Sequence, residues 1–169
     1  KLETLPTQLY VSVDAPNKEI FDEICRPKWN SAAWEKFDQT IDLLPSLDTR
    51  IVCRHTLIKD VNMKKEHISQ YAKLDNRADP DFIECKGYVH VGNSRENLSR
   101  ENMPWHEDIL EFSNSLAPLV GRKLLDESPP SRVALIGNEI VPIPIPEATM
   151  FFPEDLGIAE SIKHLKIVQ

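Results

Sequence analysis

Hydrophobic and polar positions along the chain follow a two-residue period in some stretches and a three-to-four-residue period in others. The two kinds of stretch alternate. From Gln8 to Asp14, Leu9, Val11 and Val13 oppose Tyr10, Ser12 and Asp14. Arg50 to Ile58 repeats the pattern, with Ile51, Cys53 and Leu57 opposite Arg54 and Thr56. Phe82 to Gly87 repeats it again, with Ile83 and Cys85 opposite Phe82, Glu84 and Lys86. Each stretch reads as a strand with one apolar face and one face that turns polar and charged toward its carboxyl end.

Between these strands the period lengthens. Asn17 caps a short helix running to about Ile24, and Arg26-Pro27 interrupts it. Ser31 is the expected N-cap of a second helix whose Ala33, Trp34, Phe37, Ile41 and Leu44 share one side, with Pro45 as its stop. Lys59 to Asn62 is a polar loop, followed by a helix through Ile68, Tyr71 and Leu74, and Asp79-Pro80-Asp81 breaks the chain before the third strand. Residues 91–102 read as one long polar loop carrying Gly92, Arg95 and Arg100, of a length that is often functional. The helix after it has Pro104 in its first turn, Glu107 and Asp108 at its positive end, and the stripe Trp105, Ile109, Phe112, Leu116 and Leu119, with Gly121 closing it. Trp34 and Trp105 are both assigned to the core. Arg132 to Ile136 reads as a further short strand, Val141 to Pro146 as polyproline-like chain wrapping the domain, and Glu154 to Lys166 as a weak helix.

Strands alternating with helices imply right-handed crossovers and a parallel sheet, whose ligands sit at the carboxyl ends of the strands. Composition adds limits. The 169 residues carry a net charge of −7, which disfavours a free-standing nucleic-acid binder. No apolar run approaches the ~20 residues of a membrane span. Cys25, Cys53 and Cys85 lie far apart with no local metal spacing, so neither a disulfide framework nor a zinc site is expected, and a reducing cytoplasmic setting fits. The chain opens so close to a strand that it reads as a piece of a longer protein.

Five ordered blocks carry a resemblance: Gln8 to Asn17, Arg26-Pro27, Arg54 to Asn62, Pro80 to Gly87, and Asn102 to Glu107. Together they resemble the radical S-adenosylmethionine (SAM) enzyme family of tRNA 4-demethylwyosine synthases, of wybutosine biosynthesis. The resemblance implies an α/β fold: the C-terminal half of a partial (β/α)6 barrel over residues 1–121, parallel strands with outer helices, and a Pro-rich C-terminal extension over 122–169. It implies a lyase that condenses N1-methylguanosine-37 of tRNA(Phe) with pyruvate, using SAM and a [4Fe-4S] cluster. The family's CxxxCxxC cluster loop is absent from this sequence, so the chain alone is expected to be inactive and to need the N-terminal half of the barrel. Its open edge is expected to favour a homodimer. A non-catalytic half-barrel module binding tRNA or a partner protein is the alternative.

On this resemblance Ser12, Asp14, Arg54, Thr56, Asn62, Glu84 and Lys86 are the SAM- and substrate-binding candidates, with no catalytic residue assigned. Arg54 is the natural clamp for a carboxylate or ribose oxygen, against an ion pair with Asp14 or Glu84. Glu84 and Lys86, two residues apart on one face, either reach ligand or pair with each other. Lys86 is also a candidate Schiff-base former with pyruvate, alongside any lysine of the other half. Ser12 and Asp14 bind SAM or cap the following turn, and Asn62 binds the ligand or closes an Asx-turn. His106 is read as exposed or capping in preference to acid–base work, His55 as packed, and Arg95 and Arg100 as solvated loop residues in preference to phosphate contacts.

Overall fold

A computed structural model of the chain describes residues 4–28 and 32–140; the Ser31 cap, the polyproline-like stretch and the C-terminal helix expected above lie outside the described residues. The strands are β1 (Gln8–Ser12), β2 (Arg50–Leu57), β3 (Phe82–Gly87), β4 (Lys123–Ser128) and β5 (Val133–Gly137). The main helices are α1 (Lys18–Cys25), α2 (Ala33–Leu43), α3 (Lys65–Ala78) and α4 (His106–Leu116). Asn17 caps α1 as expected, its Oδ1 accepting the Ile20 N–H at 3.0 Å. The five strands form one sheet in the order β1-β2-β3-β5-β4.

The expectation of a parallel sheet holds for β1, β2 and β3 only. β5 runs antiparallel to β3, and β4 antiparallel to β5, so the sheet is mixed. The cause is local. After α4 brings the chain back, β4 takes the outer position, and Pro129-Pro130-Ser131 with Arg132 in the left-handed region turns it straight into β5. A short turn joins antiparallel strands, whereas a parallel neighbour needs a crossover of a dozen or more residues. β4 escaped the sequence reading, which placed residues 122–169 in a Pro-rich extension, because Asp126, Glu127 and Ser128 break the apolar alternation of a strand; it is an outer strand, and half of its residues are exposed.

The core lies on one side of the sheet. Val13, Ile51, Cys53, Leu57, Ile83, Cys85, Ala134 and Ile136 meet Ile41 of α2, Tyr71, Leu74 and Ala78 of α3, and Ile109, Phe112 and Leu116 of α4. Each aliphatic side chain buried there stabilises the fold by about 1.5–3 kcal/mol. His55 sits in this layer as expected, fully buried, its Nε2 3.0 Å from Asp75 Oδ1 and its ring 4.6 Å from Tyr71. Phe21 of α1 packs on Trp34 and Phe37 of α2 at 5.5 and 5.6 Å, so Trp34 joins the edge of the core. Outside, Arg77 of α3 holds Asp38 and Asp42 of α2 at 2.7 and 2.8 Å.

Two expectations about the stripe of α4 fail. Trp105 is 67% exposed and Leu119 50%, so the apolar stripe narrows to Ile109, Phe112 and Leu116. Trp105 precedes the first helical residue and Leu119 follows the last, where the chain no longer keeps the helical bearing that would aim them inward. The 91–102 loop contains two 3-10 turns, Gly92–Glu96 and Arg100–Asn102. The first is pinned by Tyr88, whose hydroxyl lies 2.9 Å from Ser94 Oγ.

Gly137 is the register partner of Phe82, at the start of β3. A Cβ there would lie 2.8 Å from Leu125 Cδ1 and 2.9 Å from Phe82 Cδ1. Gly137→Ala is expected to lower stability by about 1–3 kcal/mol in urea unfolding; an unchanged midpoint would show that these side chains move aside freely.

Candidate functional site

Among the described residues, helices cover only the apolar face of the sheet. On the other face, register stacks the side chains in rows. The deepest row is Tyr10, Val52 and Phe82; the next is Ser12, Arg54 and Glu84; the last, at the carboxyl ends of β2 and β3, is Thr56 and Lys86. β5 extends these rows with Leu135 beside Glu84 and Val133 beside Lys86.

The middle row is organised around Arg54. Its Nη2 donates to Glu84 Oε2 at 3.1 Å, and its Nε lies 2.9 Å from Oε1, close but off the hydrogen-bond line. The guanidinium rests over the Tyr10 ring, 4.5 Å from the centroid. The bonded Glu84 carboxylate raises the pKa of Arg54 further, so its charge is permanent. Arg54 therefore pairs with Glu84, one of the two partners weighed for it, and Glu84 bonds Arg54 in place of Lys86. Lys86 has no ion-pair partner among the described residues and is half-buried in the row above. Ser12 is exposed at the edge.

Asp14 and Asn62 shape this rim from behind. Asp14 Oδ1 accepts the Thr56 N–H at 3.1 Å, while its carbonyl accepts the Asn62 amide at 2.8 Å and the Tyr71 hydroxyl at 3.1 Å. Asn62 is fully buried; its Nδ2 also donates to the Thr56 carbonyl at 2.8 Å, and its Oδ1 accepts the Ile58 N–H at 2.6 Å. One amide thus ties the end of β1 to the end of β2. Asn62 has both amide protons and its oxygen engaged inside the protein, which leaves it a framing role; the Asx-turn weighed for it does not form, since its oxygen reaches back four residues to the Ile58 N–H instead of forward.

Among the described residues no group of three or more His, Cys, Asp or Glu side chains could hold a metal ion. Cys53 and Cys85 lie on the helix-covered face with no exposure, as alternation predicts, and Cys25 is exposed on α1. Burial pushes the Cys85 thiol up to about 12 and Cys53 above the ordinary thiol range. Thiols held protonated on one face, with the third elsewhere, do not converge as iron–sulfur ligands must. The cluster that the resemblance implies does not fit this chain's own cysteines. Nor is any helix among the described residues long and apolar enough to cross a membrane.

The rim beyond the rows is stitched together by loops. Lys59 and Asn102 exchange bonds, N–H to carbonyl at 3.0 Å and Asn102 Nδ2 to the Lys59 carbonyl at 3.1 Å, joining the loop after β2 to that after β3. His106, expected to be exposed or capping, instead sits mostly buried with its Nε2 2.9 Å from Glu127 Oε2 of β4.

The family model for wyosine base formation matches residues 77–138, from the end of α3 through β5. The SAM-dependent tRNA 4-demethylwyosine synthase of Pyrococcus abyssi is 44% identical over 142 residues, 83% of this chain and 41% of that protein. The chain belongs to the tRNA 4-demethylwyosine synthase family. The human synthase, TYW1, is 37% identical over 115 residues, covering 68% of this chain and 15% of its own length. Among solved structures, TYW1 with a lysine-pyruvate adduct bound superposes with a TM-score of 0.70 at 37% identity, over 80% of this chain and 43% of that one. An archaeal TYW1 crystal structure superposes at 0.62 with 33% identity, over 79% of this chain and 40% of that one. The chain thus spans about two fifths of the archaeal synthase it matches. Sequence reasoning missed Tyr10 as the bed of Arg54, although alternation had put both on one face. It also missed β4, which supplies Glu127 to the rim.

Removing the Asn62 amide would take the partner from the Ile58 N–H and the amide donor from the Thr56 carbonyl in a dry site, and leave the Asp14 carbonyl to Tyr71. Asn62→Ala is expected to cost about 2–3 kcal/mol in thermal or urea unfolding. A loss below half a kcal/mol would mean that water replaces the bracket.

Proposed function

We propose that this chain forms part of a radical SAM enzyme that condenses the N1-methylguanosine-37 of tRNA(Phe) with two carbons of pyruvate to give 4-demethylwyosine. In this reading residues 1–121 are the C-terminal half of a partial (β/α)6 barrel, and the uncovered face of β1 to β3 is its interior. The single observation that carries it is the row Ser12, Arg54 and Glu84, polar and in register on the sheet face that no helix among the described residues covers. Two matches support it: the SAM-dependent synthase of Pyrococcus abyssi and the TYW1 structure with a lysine-pyruvate adduct.

Ser12, Arg54, Thr56, Glu84 and Lys86 face the ligand, and Asp14 and Asn62 hold the strand ends that carry them. Arg54, already charged and planar, presents its remaining donors to a carboxylate or ribose oxygen of SAM. Glu84 accepts from hydroxyl or amino groups while fixing the plane of Arg54, and Ser12 and Thr56 supply hydroxyls on either side. Lys86, free of an ion pair among the described residues, balances a carboxylate such as pyruvate's. When bound, SAM supplies the radical chemistry, and the protein supplies position and the exclusion of water. We assign the cluster ligands to residues outside this chain, which on its own is then inactive.

In an enzyme carrying this chain, Arg54→Ala is expected to weaken SAM binding by calorimetry roughly ten- to a hundredfold, the worth of a charge-assisted bond. SAM affinity that stays at the wild-type value, with the fold intact by circular dichroism, removes the role given to Arg54. β1 pairs with β2 alone among the described strands, and an unpaired strand edge invites association. Light scattering of the isolated chain at high concentration is expected to give a dimer mass; a monomer mass counts against it.

A further inference from the structure

The rim beside β3 carries a feature that the proposed SAM site does not use. Trp105 exposes 67% of its surface, and a large exposed indole at a strand-end rim calls for an explanation that a scattered surface leucine does not. Its backbone is held rigid: the Trp105 N–H donates to Asp108 Oδ2 at 2.8 Å, starting α4. Arg132 lies with its Cζ 5.6 Å from the indole centroid. Arg132 is fixed in turn, its carbonyl accepting the Gly87 N–H at 2.9 Å and its Nη1 donating to the Pro104 carbonyl at 3.4 Å. Gly87 allows this approach, since a Cβ there would lie 3.2 Å from both Arg132 Cβ and Pro104 Cγ.

We propose that Trp105 and Arg132 form a stacking site for an unpaired nucleobase of the RNA substrate, next to the nucleotide that reacts, with Arg100 and Lys59 meeting the adjoining phosphates. This rests on the reading of the substrate as tRNA. The two side chains border a cleft of ≈ 530 Å³ that Lys59 and Arg100 also line. Lys59, Arg100 and Arg132 line it beside Asp60 and Glu101; Lys59 lies 3.6 Å from Asp108 Oδ2, while Arg100 and Arg132 have no carboxylate partner among the described residues. The cleft adjoins the proposed active face, because Arg132 leads directly into Val133, the register partner of Lys86. An aromatic face backed by a guanidinium is what a splayed base stacks on, whatever its identity, and flanking cations track its backbone. A docking peptide would instead ask for a continuous apolar groove, and Trp105 stands among charges.

The test uses the full chain and fluorescence anisotropy, with two probes: a short RNA hairpin whose loop holds unpaired purines, and a blunt RNA duplex of equal length. The wild type is expected to prefer the hairpin. Trp105→Ala weakens hairpin binding about tenfold while Trp105→Phe stays within about threefold, since stacking survives with a smaller ring. Arg100→Gln lowers the slope of log Kd against log salt by about one, as loss of one phosphate contact does. No hairpin binding by the wild type, equal affinity of Trp105→Ala and wild type, or equal losses on both probes each overturns the stacking site. The same proteins are titrated with SAM. Losses confined to RNA, with Arg54→Ala still impaired in SAM binding, support both readings; Trp105-dependent RNA binding with an unimpaired Arg54→Ala keeps the stacking site and removes the strand-end assignment.

Discussion

A sheet covered by helices on one face must send every second side chain the other way, and the rest of this molecule follows from that division. The helix side takes the aliphatic residues, the buried cysteines and the His55–Asp75 pair, and closes over them. The open side is left with Tyr10, Ser12, Arg54, Thr56, Glu84 and Lys86, brought into rows because β1, β2 and β3 run parallel and in register. A slip of one residue in β2 or β3 would exchange that strand's two sets and bury Arg54 or Glu84 without water.

Charges on such a face need internal order before any ligand arrives. Arg54 obtains it from Glu84 on one side and the Tyr10 ring beneath. The pair is only partly desolvated, so its worth lies in fixing a plane more than in stabilising the fold. Asn62 does the corresponding work for the backbone: its amide joins the ends of β1 and β2 and leaves the carboxylate of Asp14 to hold the Thr56 N–H. The candidate ligand-facing groups and the groups that hold them are thus distinct sets, although their types are the same.

Much of this was legible in the residues. Alternation assigned the faces of Arg54, Glu84, Cys53, Cys85 and His55 because a strand has a period of two whatever surrounds it. The Asn17 cap and the helix through Tyr71 were readable for the same local reason. Trp105 was misread because helical spacing was continued one residue past the point where the helix begins. β4 was missed because an outer strand with charged residues has the same composition as a polar tail, and only pairing distinguishes them.

Local periodicity, then, decided which side chains share a face, since that follows from backbone geometry within a single element. Partner choice was decided only in three dimensions: Arg54 to Glu84 across thirty residues, Asn62 to the Asp14 carbonyl across forty-eight, Trp105 to Arg132 at the rim. Each of those polar groups has several partners of suitable chemistry in the chain. Which one it meets depends on strand order and register, and these are set by how the whole apolar surface packs beneath the sheet.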